Sequence, residues 1–180
     1  MHAATLTPDA DERLMWRELH RAACDPSIDQ ALRNLYAELD AAIAERGPTC
    51  WQSGKCCNFD AYGHRLYVTA LEIAWFRRQL LAIDPQPDTT ADATTPRVSL
   101  QQFAEQPGAC PYQVGGACST HAIRPLGCRV FFCQKGTEDW QNDLYETFLR
   151  KLRELHEAAG IEYRYMDWIA GLEWAEAATG

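Results

Sequence analysis

Residues 50–59 read CWQSGKCCNF: three cysteines in eight positions, two of them adjacent, with Gly54 and Lys55 just ahead of the pair. The chain holds eight cysteines, at 24, 50, 56, 57, 110, 118, 128 and 133. From Cys50 onward the spacing is C-x5-C-C, then 52 intervening residues, then C-x7-C-x9-C-x4-C. Neighbouring side chains of an extended segment point to opposite sides. Cys56 and Cys57 are therefore expected to be awkward joint ligands of one tetrahedral ion. They suit different atoms of a polynuclear cluster, or a site in which only one of them ligates. The spacing is neither the paired C-x2-C of a zinc ribbon nor the C-x2-C-x2-C run of bacterial ferredoxins.

Outward from these cysteines the chain reads as helices. Residues 8–23 carry Leu14, Trp16, Leu19 and Ala22 as an apolar stripe. Ser27 and Gln30 form a capping-box pattern ahead of a helix running to about Arg46, with Ile28, Leu32, Leu35, Leu39 and Ile43 at steps of three and four. Gly47-Pro48 stops it. Residues 65–68, RLYV, suggest a short strand, and Thr69 with Glu72 caps a helix through about Leu81. Residues 84–97, rich in Pro, Thr and Asp, read as an exposed loop. The second cysteine group, 110–133, is irregular and contains Gly115, Gly116 and Gly127. Thr137 caps a helix to about Ala159 that Gly160 ends; 161–165 alternates like a strand, and 167–177 forms a last helix with Trp168, Leu172 and Trp174. The expected fold is mostly α: a compact helical domain spanning 1–180, with two irregular Gly/Pro-rich cysteine loops and room for one small β element. Helices at 1–47 and 137–177 flank the cysteine region at 50–133.

Composition narrows the function. The chain has 180 residues, 47% of them hydrophobic, and a net charge of −8. A basic excess is what bulk binding to nucleic acid or to an anionic membrane requires, so both partners are excluded by expectation. No apolar run approaches the roughly 18 residues of a spanning helix. The opening MHAATLTPDADERLMW lacks a positive start and an apolar core, so no signal peptide is read there and a cytoplasmic location is expected. In a reducing compartment, grouped thiols serve as metal ligands or redox groups more often than as disulfides. Thiolate donors suit zinc and iron–sulfur chemistry.

Charge around the cysteines agrees. Segments 50–65 and 107–135 carry Lys55, Arg65, Arg124, Arg129 and Lys135 against Asp60, so 5 − 1 = +4 in a chain of −8. Positive neighbours hold thiolates at low pKa and stabilise an anionic cluster. Lys55, Arg124 and Arg129 are read as the cofactor-binding cations. The expected metal ligands are Cys50, Cys56, Cys57, Cys110, Cys118, Cys128 and Cys133, with Cys57, Cys110, Cys118 and Cys128 foremost. Cys24 stands outside the set. His64 and His121 read as ordinary polar groups, and Asp60 and Glu72 as single carboxylates with no evident partner. No catalytic residue is assigned, and no Gly-x-Gly-x-x-Gly or P-loop occurs.

The segments GKCC (54–57), CPYQVGGACS (110–119) and RPLGCRVFFC (124–133) occur in an order that resembles the YkgJ-like cysteine-cluster family (CxxCxxCC), described as zinc- or iron-chelating. Cys50, Cys56, Cys57, Cys110, Cys118 and Cys128 fall on its pattern, as do Pro111, Tyr112, Arg124, Pro125 and Arg129. Cys50 lies six residues before Cys56, where the family has a tighter opening pair, and Cys133 is a looser follower. The resemblance implies an iron–sulfur protein. It extends to the cysteine region of flagellin lysine-N-methylases. The expected function is a redox-related protein with one thiolate-ligated iron–sulfur cluster of the four-iron four-sulfur (4Fe-4S) type, and an unidentified redox or protein partner. The alternatives are a structural or storage module for zinc or iron ions, and a cluster-dependent enzyme such as a protein methylase.

Overall fold

The computed structural model describes residues 8–50, 53–83 and 108–179. The expected loop at 84–97 lies outside them. Helix α1 (Ala10–Cys24) starts on a reciprocal cap in which Asp9 accepts from the Glu12 N–H at 2.9 Å and the Glu12 carboxylate accepts from the Asp9 N–H. Helix α2 (Pro26–Arg46) starts on Asp25, whose Oδ1 accepts from the Ser27 N–H at 2.8 Å. The expected cap at Ser27 is thus displaced. Proline at the first helical position has no N–H to satisfy, so the helix begins before Ser27. Gly47, at φ 62°, ends α2 in the left-handed conformation.

The first cysteine group forms a 3-10 turn, Lys55–Cys57, followed by a one-turn helix α3 (Phe59–Tyr62). Strand β1 (Tyr67–Thr69) leads straight into α4 (Ala70–Ile83) through the predicted box: Thr69 Oγ1 accepts from the Glu72 N–H at 3.2 Å, and Glu72 Oε2 from the Thr69 N–H at 2.8 Å. Along α4, Ala70, Leu71, Ile73, Ala74, Trp75 and Phe76 are all buried. A helix covered on so much of its circumference needs partners on several sides. It has α1 on one flank and the C-terminal helix on another.

The second cysteine group opens as a two-stranded hairpin, β2 (Gln113–Val114) and β3 (Ala117–Cys118). Gly115 and Gly116 between them both have positive φ, 58° and 83°, as the tight hairpin turn requires. A 3-10 turn at His121–Ile123 and a short helix α5 (Leu126–Val130) follow. Helix α6 (Glu138–Ala159) ends at Gly160 as expected. Strand β4 (Tyr165–Asp167) pairs antiparallel with β1, Val68 opposite Met166, and α7 (Trp168–Thr179) closes the chain. Both strands lie further along than the sequence suggested. Val68 is fully buried, and this register keeps it in the core while the ladder continues through Ala70 N–H to Arg164 O and Trp168 N–H to Leu66 O.

The fold is therefore mostly helical, with seven helices among the described residues and two small sheets. One buried cluster runs from Trp16 and Leu19 of α1 through Leu32 and Leu39 of α2 and the first two turns of α4 to Trp168 and Leu172 of α7. Cys57 and Cys110 belong to it. Among the described residues, no helix is long and apolar enough to cross a membrane.

Candidate metal centre

Backbone hydrogen bonds join the two cysteine groups. The Cys110 N–H donates to Cys57 O at 2.6 Å, and the Asp60 N–H to Gly108 O at 2.9 Å. The Gln113 side-chain amide donates to Gly54 O at 2.9 Å. Gly54 has φ 69°, and a Cβ there would stand 2.2 Å from Gln113 Nε2 and 2.6 Å from Gly116 O. Only glycine allows the hairpin to come this close. Further along, Thr49 N–H donates to Gln134 Oε1 at 2.9 Å, and Ser53 Oγ lies 3.3 Å from Cys133 Sγ.

The result is a cavity of about 180 Å³ bordered by Cys50, Cys56, Cys57, Cys110, Cys118, Cys128 and Cys133. All seven cysteines read as ligands reach one cavity, although 52 residues separate the two groups. Cys24 is exposed at the end of α1 and does not border it. All eight are free thiols. Cys57 and Cys110 are buried, Cys56, Cys118, Cys128 and Cys133 half-buried, and Cys50 exposed.

Within the cavity Cys57 is the hub. Its thiol is held far above the usual range by the Cys110, Cys118 and Cys56 thiols around it. The hydrogen bond from Cys57 pulls Cys118 down to about 6 and Cys56 to about 7, and it lowers Cys110 as well. Cys128 moves the other way: burial pushes its thiol up, and charge on Cys110 and Cys118 adds to this. Cys110 also accepts from the indole N–H of Trp168 at 3.4 Å, and Cys118 Sγ lies 3.6 Å from Thr120 Oγ1.

Cys56 and Cys57 do not diverge. Their Sγ atoms are 3.8 Å apart. The pair sits in a 3-10 turn, where successive side chains are separated by about a third of a revolution instead of half. Two sulfurs on one tetrahedral ion with Zn–S bonds of about 2.3 Å stand about 3.8 Å apart. Among the described residues, no three His, Cys, Asp or Glu side chains are drawn together tightly enough to hold an ion as they stand.

The three expected cofactor-binding cations separate. Arg124 borders the cavity, donates to Cys128 O at 3.1 Å and His121 O at 3.0 Å, and its charge lowers both Cys56 and Cys118. Arg129 is buried and turned away. It donates to both oxygens of Asp40 at 3.0 and 2.8 Å, to Arg124 O at 2.7 Å and to Ala122 O at 2.9 Å, and lies 4.5 Å from the centre of the Tyr36 ring. It fastens the second cysteine loop to α2. Lys55 is exposed, with its ammonium 5.3 Å from the Tyr62 ring centre. His121 is on the cavity rim, with its pKa lowered by burial and by Arg124. His64 instead stacks on Phe131, 5.0 Å between ring centres, with Nε2 3.4 Å from Cys56 O.

Two contributors were invisible in the sequence reading. Trp168 reaches Cys110 from a helix 58 residues away. Glu72, read as a carboxylate without partners beyond its cap, also accepts from Tyr36 OH at 3.0 Å and from the Leu126 N–H at 2.8 Å, so it sets the start of the helix that carries Cys128. No protein-family model, no curated protein and no solved structure matches the chain.

Proposed function

We propose that the chain is a metal-binding protein whose thiols hold an iron–sulfur cluster, of the 4Fe-4S type, with a redox-related role in a reducing compartment. The observation that carries this reading is the meeting of all seven cysteines at one cavity. The donor set fits the group. It is all sulfur, its innermost members are out of water, and Arg124 stands beside it to offset the negative charge of a thiolate-ligated cluster. Cys57 has the Cys56, Cys110 and Cys118 thiols as neighbours, and a thiophilic cation bound among them would release their protons. Cys57, with Cys56, Cys110 and Cys118 around it, forms the inner set of donors; Cys128 and Cys133 are half-buried and Cys50 is exposed. When bound, such a cluster supplies one-electron chemistry tuned by burial and by hydrogen bonds to sulfur. The order of the three cysteine segments supports membership of the YkgJ-like family.

Anaerobically purified protein should be brown, with a broad absorption band at about 400 nm that bleaches on reduction. Iron and acid-labile sulfide should be present in equal amounts. A colourless protein carrying only zinc would reject the cluster. The second reading, zinc held by thiolates, draws on the 3.8 Å separation of Cys56 and Cys57 Sγ, and the same metal analysis decides between the two. If it is a cluster, the Trp168 N–H bond to Cys110 raises its reduction potential by offsetting charge on the sulfur. Trp168→Phe should keep the metal and shift the midpoint potential to a more negative value. An unchanged potential with full metal content would remove Trp168 from this role.

A further inference from the structure

Behind the wall formed by Cys56, Cys128 and Phe131 lies a second cavity, of about 240 Å³. Rings dominate its sides: Tyr67, Tyr145, Tyr165, Phe131 and His64. Tyr67 and Tyr165 stack at 5.5 Å between centres with their planes 17° apart, and the Tyr145 and Tyr165 hydroxyls are hydrogen-bonded to each other. Leu66 and Val130 add aliphatic surface. At the mouth, Arg65 is exposed and makes no ion pair among the described residues. Among the described residues, no acidic side chain borders this cavity.

Each feature selects a ligand property. Flat walls of stacked rings favour a planar aromatic ring over a puckered aliphatic one. A guanidinium with no carboxylate beside it favours an anion, and its fork matches a carboxylate. The volume falls below the roughly 300 Å³ at which pockets for drug-sized ligands begin, so a single ring fits better than a nucleotide. We propose that this second cavity binds a small aromatic carboxylic acid, its ring among the tyrosine and Phe131 side chains and its carboxylate on Arg65. The two cavities share Cys56, Cys128 and Phe131, but Arg65 and the three tyrosines do not border the thiol cavity, so the proposal does not depend on which metal the thiols hold.

The test is two-dimensional NMR of the full chain, followed at the aromatic side chains, with benzoate, benzamide and cyclohexanecarboxylate as probes. Benzoate should shift the Tyr67, Tyr165 and Phe131 ring signals in a saturable way. Benzamide lacks the charge and cyclohexanecarboxylate lacks the flat ring, and each should bind about tenfold more weakly, the equivalent of about 1.4 kcal/mol. Arg65→Gln should weaken benzoate by about tenfold while leaving helicity and melting unchanged. Tyr67→Leu should weaken benzoate and narrow its advantage over cyclohexanecarboxylate. Absence of saturable shifts with benzoate overturns the proposal, as does equal affinity for the two carboxylates or unaltered benzoate binding by Arg65→Gln. Titrating the metal-free protein as well keeps this outcome independent of the metal assignment.

Discussion

Glu72→Ala should cost the protein about 3 kcal/mol of stability or more, a large part of what holds a domain of this size together. The carboxylate is buried and accepts four hydrogen bonds, from Tyr36 OH, Thr69 N–H, Thr69 Oγ1 and Leu126 N–H. Alanine leaves three of those donors, the Tyr36 hydroxyl and two backbone amides, without a partner in the core, at about 1–3 kcal/mol each. Tyr36→Phe removes the donor together with its need, and it should cost no more than about 1.5 kcal/mol. Urea denaturation of the two variants checks the asymmetry; equal losses would contradict it. The pH dependence has a definite sign. Burial raises the Glu72 pKa above its ordinary 4.5, against the lowering by its hydrogen bonds to Thr69, Leu126 and Tyr36. With the folded value above the unfolded one, this group favours folding most at pH below the unfolded value. That contribution is lost as pH rises through the folded value. Relative to Glu72→Gln, which has no proton to lose, the unmodified protein should therefore lose stability as pH climbs from about 4 towards neutrality.

Cys57→Ser should lose most of the bound metal, and Cys24→Ser none. Cys57 is the buried thiol around which Cys56, Cys110 and Cys118 gather, and its carbonyl also takes the Cys110 N–H, so side chain and backbone tie the two loops at one residue. A serine hydroxyl keeps the backbone bond and removes the soft donor. The loss should therefore appear in metal per chain while the helical content persists. Cys118→Ser should follow Cys57→Ser, whereas Cys50→Ser, at the exposed rim, should retain more. Metal and sulfide analysis of the anaerobically purified variants decides it. Full metal content in Cys57→Ser, or loss in Cys24→Ser, would refute the assignment.

Local chemistry in the chain was readable where a signal is contained in a few neighbouring residues. The Thr69–Glu72 box, the stop at Gly160, the apolar stripe of α2 and the turn glycines of 115–116 all depend on groups within a few turns of chain. That the seven cysteines from Cys50 to Cys133 would meet was anticipated from their density in turn-rich segments, and all seven border one cavity. Signals that look local can still be outcompeted nearby, as when Pro26 moved the α2 cap from Ser27 to Asp25.

The tertiary structure decided which neighbours each polar group meets. Arg129 and Arg124 are alike in the sequence, five residues apart among the same cysteines. Yet Arg124 stands at the thiol cavity and Arg129 binds Asp40 of α2. Glu72 gained Leu126 and Tyr36, and Cys110 gained Trp168, from residues 36 to 58 positions away. Even the adjacent Cys56 and Cys57 took their common direction from a 3-10 turn that the Gly54–hairpin contact helps to hold. Sequence determines how a residue bonds its own backbone and its helix neighbours, because those distances are fixed by covalent geometry. A contact across tens of residues depends on which packing of all the helices buries the most apolar surface, and that sum is settled only when the chain is folded.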